Sequence, residues 1–138
     1  VRADPALLAP AIEEVLRYRS PVQAMFRATR CPVELDGTRL PAGAFVVAMI
    51  GAANHDPRRF AAPAQFDVAR DPNPHIAFGH GIHFCIGAPL SRLEAGIALG
   101  ELLGRFAAFE LASPDWPPRA SFHVHGPAAL PLRFRRAG

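Results

Sequence analysis

One cysteine lies in a glycine-rich loop, where its side chain could bind a metal centre. Cys85 sits inside the segment 78–87, which reads FGHGIHFCIG. Glycine has no Cβ, so it lets the backbone pass close to a large flat group. A predicted helix starts just after Cys85, and the free N–H groups and positive dipole end of a helix favour a thiolate over a thiol. Apolar neighbours on both sides limit the access of water. The loop therefore predicts a thiolate that binds a soft metal centre.

Two other interpretations of this loop stay open. Cys85 could be a structural cysteine, since a free cysteine packs as a small hydrophobe. It could also join His75, His80 and His83 in a small zinc site. Structural zinc sites typically show paired short cysteine spacings, and a single cysteine lies here. This spacing does not favour zinc.

The loop resembles the haem-binding signature of the cytochrome P450 family, F-x-x-G-x-[HR]-x-C-x-G. The fixed positions are matched by Phe78, Gly81, His83, Cys85 and Gly87. The resemblance implies haem b as the cofactor and Cys85 as the ligand of its iron, a thiolate that donates electron density to the metal. It also implies that His83 binds a haem propionate and that Phe78 packs beside the sulfur. The cofactor-binding residues implied by the resemblance are Arg27, Phe78, Gly79, His83, Cys85 and Gly87.

A second motif precedes Cys85 by about seventy residues. Glu14 and Arg17 resemble the E-x-x-R of the P450 K helix. Such a spacing alone is typical of an exposed helical ion pair, so its position ahead of the strands carries the resemblance. In the family the pair is buried and joins a third basic residue from a segment called the meander. Here 63–66 resembles the P-x-R-F motif of the meander, with Gln65 in the arginine's place. Glutamine can donate a hydrogen bond but carries no charge, so the third member of this network stays open.

The resemblance also implies residues that face the second propionate and the substrate. Arg27 lies on the first predicted strand, ten residues after Arg17. Soluble P450s often place an arginine at this position against the second haem propionate. The alternative is an ordinary strand arginine. Most of the segment facing the substrate is apolar, which is consistent with an apolar substrate, although apolar strand residues are more often plain core. The residues expected to face the substrate are Val22, Gln23, Ala24, Met25, His123 and Val124.

The surrounding elements predict a mainly α fold with small β-sheets, of the α+β class. Apolar periodicity predicts helices, and short apolar runs between turn residues predict strands. By resemblance this is the C-terminal portion of the P450 fold: K helix, short β-sheets, meander, Cys loop, L helix and C-terminal β-hairpin. Residues 1–138 are then one partial domain. The predicted helices are 4–18 and 88–107, the strands 24–29, 33–35 and 45–50, an aperiodic loop 54–74, and a hairpin of 121–125 with 130–134.

Composition limits the partners. The net charge of +3 is carried entirely by arginine, because the 138 residues include no lysine, and the arginines are scattered. A scattered charge argues against a nucleic-acid partner. The sequence contains no run of about 18 apolar residues, the length that would predict a membrane span. The two cysteines, Cys31 and Cys85, are too few for a disulfide framework and indicate a reducing, cytoplasmic setting.

The activity implied by the resemblance is haem-thiolate monooxygenation. One oxygen atom of O2 would enter a small organic substrate, with electrons from a ferredoxin-type donor docking near Arg92. The central helix and N-terminal residues that complete a P450 site have no counterpart in this sequence. We therefore expect the isolated chain to bind haem weakly at best and to be inactive. A non-catalytic haem-binding module and a non-functional truncated remnant are the alternatives.

Overall fold

The first helix forms where apolar residues recur at helical spacing. A 3₁₀ turn, Pro5–Leu7, leads into α1 (Leu8–Tyr18) in a computed structural model that describes residues 1–115 and 117–137. Asp4 caps the turn, because its carboxylate accepts a hydrogen bond from the Ala6 N–H (3.1 Å). The face that α1 buries is partly charged: Ile12, Glu14 and Arg17. This predicted helix is present, with its first turn of the 3₁₀ type.

Two small antiparallel sheets follow. β1 (Met25–Ala28) pairs with β4 (Phe45–Ala48), and β2 (Val33–Leu35) pairs with β3 (Thr38–Leu40). Asp36 and Gly37 form the tight turn between β2 and β3, with φ of 46° and 74°.

The predicted strand 45–50 ends earlier than expected. A short helix, α2 (Ile50–Ala53), begins at its last position. The Gly51 N–H donates to the Gln23 carbonyl (3.1 Å), and a Cβ at Gly51 would collide with the Gln23 side chain. Close approach of two backbone segments therefore turns the chain here. The predicted aperiodic loop consists of turns and bends.

The second long helix, α3 (Ala88–Arg105), starts after the cysteine loop and passes directly into β5 (Phe106–Leu111). It ends at Arg105 rather than Ala107. β5 pairs antiparallel with β6 (Leu132–Arg136).

The predicted hairpin of 121–125 with 130–134 is wrong. Proline has no N–H to donate, and Pro131 lies inside the predicted strand 130–134. Instead Val124 forms a bridge with Val22, and the His125 N–H donates to the Pro21 carbonyl (2.7 Å). The Pro-rich link after Leu111 contains Trp116, which lies outside the described residues.

The interior is small and partly polar. Its largest fully buried side chains are polar, and many large apolar side chains of α3, including Leu90, Leu93 and Ile97, are exposed. The helices with three two-stranded sheets confirm the predicted α+β class. Within 1–115 and 117–137, no helix has both the length and the apolar character needed to cross a bilayer. The buried polar side chains are Glu14, Arg17, Ser20 and Asn54.

Candidate functional site

The loop 78–87 presents a thiol at the surface. The Cys85 N–H donates to the Phe78 carbonyl (2.9 Å), and the Cys85 carbonyl accepts from the Ala88 N–H (3.1 Å) at the start of α3. Gly79 and Gly81 have φ of +77° and +69°, a left-handed conformation that glycine adopts without strain. The loop is therefore closed on itself and joined to the helix, with the Cys85 thiol free and exposed.

Apolar side chains surround this thiol. Ile82 and Ile86 are 97% and 99% exposed, and Phe84 is 50% exposed. Exposed apolar surface of this kind is stabilised by an apolar partner. A Cβ at Gly87 would lie 3.7 Å from the Cys85 sulfur, so glycine leaves that side of the sulfur open. A soft ligand atom in an apolar frame suits a flat, largely apolar macrocycle with a metal at its centre.

The same geometry does not support zinc. In the described part of the chain, no group of three or more His, Cys, Asp or Glu side chains is arranged to hold a metal ion. His75 instead contacts Glu13 through Nε2 (2.9 Å). The histidines considered as zinc partners of Cys85 in the alternative interpretation are thus not assembled around it.

Three predicted cofactor contacts lie at the surface or beside the loop. The Phe78 ring lies edge-on to Phe84, with centroids 6.3 Å apart. His83 ends the 3₁₀ turn Gly81–His83 and is exposed. Arg27 lies on β1, exposed, and donates to the Phe26 carbonyl (2.8 Å). The side chains of His83 and Arg27 are both accessible to an anionic group, and their propionate contacts stay predictions.

The two predicted substrate-facing segments meet. Val22 forms a bridge with Val124, and the Gln23 N–H donates to the His123 carbonyl (2.9 Å). One of the six residues, Ala24, is completely buried, contrary to the prediction for it. Gln23 is half-buried, and its side chain donates to the Ser20 carbonyl (2.5 Å). The residues that stay candidates, all at least partly exposed, are Val22, Gln23, Met25, His123 and Val124.

Behind the loop, Glu14 and Arg17 form a buried ion pair. Two parallel hydrogen bonds of 2.8 Å join the guanidinium to the carboxylate, and both side chains are 0% exposed. The remaining guanidinium donors of Arg17 reach carbonyl groups in the segment 54–74, at Asn54 (2.9 Å), Pro63 (3.0 Å) and Gln65 (3.0 Å). The spacing alone is typical of an exposed pair, whereas the resemblance implies a buried one, and the structure buries this pair.

The third basic residue of this network is Arg70, which the sequence reasoning missed. Its Nε donates to both Glu14 oxygens (3.3 and 3.2 Å). Gln65 contributes its backbone carbonyl, which accepts from Arg17 and from Arg70 (3.3 Å). The interpretation of Gln65 as the side chain replacing an arginine is thereby corrected. The available signal was a second arginine five positions beyond Gln65, FDVAR at 66–70.

The Glu14 carboxylate stays ionised despite its burial. Burial raises its pKa, but hydrogen bonds from Arg17, the Asp67 N–H and Arg70 outweigh this effect and lower the pKa from 4.5 to about 2. The Asn73 amide donates a further hydrogen bond (3.1 Å). A charge held by this many donors stabilises the fold only while it is ionised.

Acid should therefore destabilise the protein through Glu14. The unfolded chain takes up this proton near pH 4.5 and the folded chain near pH 2, so the stabilisation is complete above pH 4.5 and is lost as pH falls towards 2. We expect the urea midpoint to fall across this range, and to fall less steeply in Glu14→Gln. Parallel pH profiles of the two proteins would contradict this prediction.

Gly81→Ala should strain the loop without crowding it. No described atom lies within 4 Å of the added Cβ, so the cost is that of a left-handed alanine, about 1–2 kcal/mol in the free energy of unfolding. Gly126→Ala is the matched control, since its φ lies outside the left-handed range and its surroundings are equally open. We expect a change there of no more than about 0.5 kcal/mol. Equal urea midpoints of the two variants would refute the strain at Gly81.

Known proteins are similar to this chain in sequence and in backbone structure. The family model for cytochrome P450 matches residues 2–124. Cytochrome P450 monooxygenase PikC of Streptomyces venezuelae is 50% identical over 141 residues, covering 99% of this chain and 33% of PikC. The crystal structure of CYP109E1 from Bacillus megaterium in complex with testosterone matches with a TM-score of 0.92 and 46% identity, covering 98% of this chain and 37% of that one.

A third match has a different bound partner. P450BioI in complex with an acyl carrier protein ligated to hexadec-9Z-enoic acid matches with a TM-score of 0.94 and 42% identity, covering 97% of this chain and 35% of that one. These matches confirm the predicted C-terminal P450 portion as the fold. The chain spans about a third of the length of the curated relatives it matches.

Proposed function

This chain belongs to the cytochrome P450 family, and we propose that it supplies the haem-thiolate half of a monooxygenase site that inserts one oxygen atom of O2 into an organic substrate. The family binds haem b. The observation that carries the proposal is the exposed Cys85 thiol in its closed loop, framed by exposed apolar side chains. A thiol in such a frame is suited to a macrocyclic metal cofactor and not to a disulfide or a zinc cluster.

Several residues of the chain hold the cofactor, each in a different way. Cys85 ligates the iron, and its carbonyl, which accepts from the Ala88 N–H, ties the ligand to the start of α3. Ile82, Phe84 and Ile86 cover the cofactor with apolar surface and keep water from the sulfur. His83 and Arg27 bind the propionates. When bound, the haem supplies the iron at which O2 is activated.

The substrate is proposed to be a small, largely apolar organic molecule. The wall offered by Val22, Met25 and Val124 is apolar, and Gln23 and His123 add polar groups. Two solved relatives are described with a steroid and with a fatty-acyl carrier, both carrying extended apolar groups. Apolar walls bind such groups by removing them from water.

Electrons are proposed to come from a ferredoxin-type protein in the cytoplasm. Both cysteines are free thiols, which agrees with a reducing compartment. Arg92, near which the donor is expected to dock, is held by Glu13 through two hydrogen bonds (2.6 and 2.8 Å), and its side chain is 36% exposed.

A non-catalytic haem-binding module is the second candidate. Because the chain spans about a third of the length of its relatives, we propose that residues 1–138 act as part of a larger P450 domain and that the chain alone is inactive.

Reconstitution tests both candidates. The protein is loaded with haem, reduced and exposed to carbon monoxide, and its Soret band is recorded. A thiolate-type band supports ligation by Cys85, and a histidine-type band refutes it. Product formation from O2 with a ferredoxin and its reductase, measured in the larger P450 domain proposed to contain this chain, distinguishes the monooxygenase from the non-catalytic module. Stoichiometric zinc in metal analysis would overturn both.

A further inference from the structure

A second carboxylate of α1 joins the two ends of the cysteine loop. The Glu13 carboxylate accepts two hydrogen bonds from the Arg92 guanidinium, at 2.6 and 2.8 Å. It also accepts a hydrogen bond from Nε2 of His75 (2.9 Å). His75 lies three residues before Phe78, and Arg92 lies seven residues after Cys85 on α3. One side chain therefore links α1 to the chain entering the loop and to the helix leaving it.

The orientation of His75 is fixed by its own backbone contacts. Its Nδ1 accepts the Ala77 N–H (3.2 Å), so the ring proton lies on Nε2 and points to Glu13. The imidazole is 4% exposed, which shields both bonds from water. The segment leading to Phe78 is thus tied to α1 through a single tautomer of His75.

Arg92, on the helix that leaves the loop, also contacts Phe78 at the start of the loop. Its guanidinium carbon lies 4.7 Å from the centroid of the Phe78 ring, a cation–π contact. The carbonyl of Phe78 in turn accepts the Cys85 N–H (2.9 Å). The hydrogen bond from Arg92 lowers the pKa of Glu13, and the hydrogen bond to Glu13 raises the pKa of Arg92. Both groups are therefore charged at neutral pH, and the contact persists.

We propose that Glu13, His75 and Arg92 form a clamp of positioning residues that holds the two ends of the Cys85 loop so that the thiolate ligates the haem iron. The inference rests on the proposed haem-thiolate function. The clamp is separate from the Glu14–Arg17–Arg70 network, because it uses a different carboxylate. The clamp contacts Phe78 of the cysteine loop, whereas the network contacts Gln65 in the segment 54–74.

Two variants test the clamp in the haem-loaded protein. Glu13→Gln keeps the side-chain volume and removes the charge that holds Arg92. Arg92→Lys keeps the charge and removes the planar fork. Glu101→Gln is the matched control, since it breaks an exposed ion pair with Arg105 on the same helix. The readouts are the rate of haem loss to apomyoglobin, the thiolate-type fraction of the reduced, CO-bound spectrum, and Tm.

We expect both clamp variants to lose haem about 10- to 100-fold faster, as for other residues that support a metal ligand. The thiolate-type fraction should fall in both, more in Glu13→Gln, and stay unchanged in Glu101→Gln. The clamp is overturned if both variants lower Tm alone and keep the wild-type spectrum and haem-loss rate. If Glu13→Gln does not fold, Arg92→Lys decides, because its side chain is 36% exposed. A wild-type protein without the thiolate band would instead overturn the proposed function.

Discussion

Cys85→Ser is expected to abolish the thiolate-type Soret band of the reduced, CO-bound protein. A serine hydroxyl is a hard, weakly acidic donor and cannot replace a thiolate that donates electron density to haem iron. The Phe78 carbonyl and the start of α3 bind the backbone of residue 85, so the loop itself should keep its shape. The expected result is complete loss of the band without unfolding, measured by the CO-difference spectrum and by circular dichroism.

Cys31→Ser is the matched control for this experiment. Cys31 is the other free, exposed cysteine, and it lies outside the loop. We expect the control to keep the wild-type band at full intensity. A band that survives in Cys85→Ser, or disappears in Cys31→Ser, would show that the assigned ligand is wrong.

Arg17→Met is expected to cause the largest loss of stability among single changes to the site. It leaves the buried Glu14 carboxylate with fewer donors, and it leaves the carbonyl groups of Asn54, Pro63 and Gln65 without the guanidinium. Removing one member of a buried ion pair costs about 3–5 kcal/mol. The free energy of unfolding of a domain is about 5–15 kcal/mol, so much of the folded protein would be lost.

Arg105→Met provides the comparison for Arg17→Met. Arg105 pairs with Glu101 on the surface of α3, with side chains 73% and 61% exposed, and such pairs contribute at most about 1 kcal/mol. The urea midpoints of the two variants, compared at equal slope m, measure the change in the free energy of unfolding. If Arg17→Met shifts the midpoint no more than Arg105→Met, the buried pair does not hold the loop segment in place.

Local features of the site could be read from consecutive residues. The cysteine loop closes between Phe78 and Cys85, and its left-handed positions are glycines, so its shape depends on neighbours in the chain. The same is true of the β2–β3 turn at Asp36 and Gly37, and of α1 with its apolar periodicity. In each case the interactions that decide the structure join residues a few positions apart.

Contacts between distant segments could not be read in this way. Arg70 reaches Glu14 across 56 positions, and Arg92 reaches Glu13 across 79. Sequence spacing alone does not decide which arginine contacts a buried carboxylate, because the contact depends on how the segment 54–74 folds over α1. The pairing of β5 with β6 was missed for the same reason, since the two strands are far apart in the sequence.

The sequence by itself therefore determined the proposed ligand, Cys85, and the family to which its loop belongs, because a short closed loop carries its own geometry. Only the tertiary structure decided what stands behind that ligand. The burial of Glu14 and Arg17, the arginine that completes their network, and the link from Glu13 to Phe78 all follow from packing α1 against the loop and α3. A buried charge is stable only with its donors in place, and those donors come from distant parts of the chain.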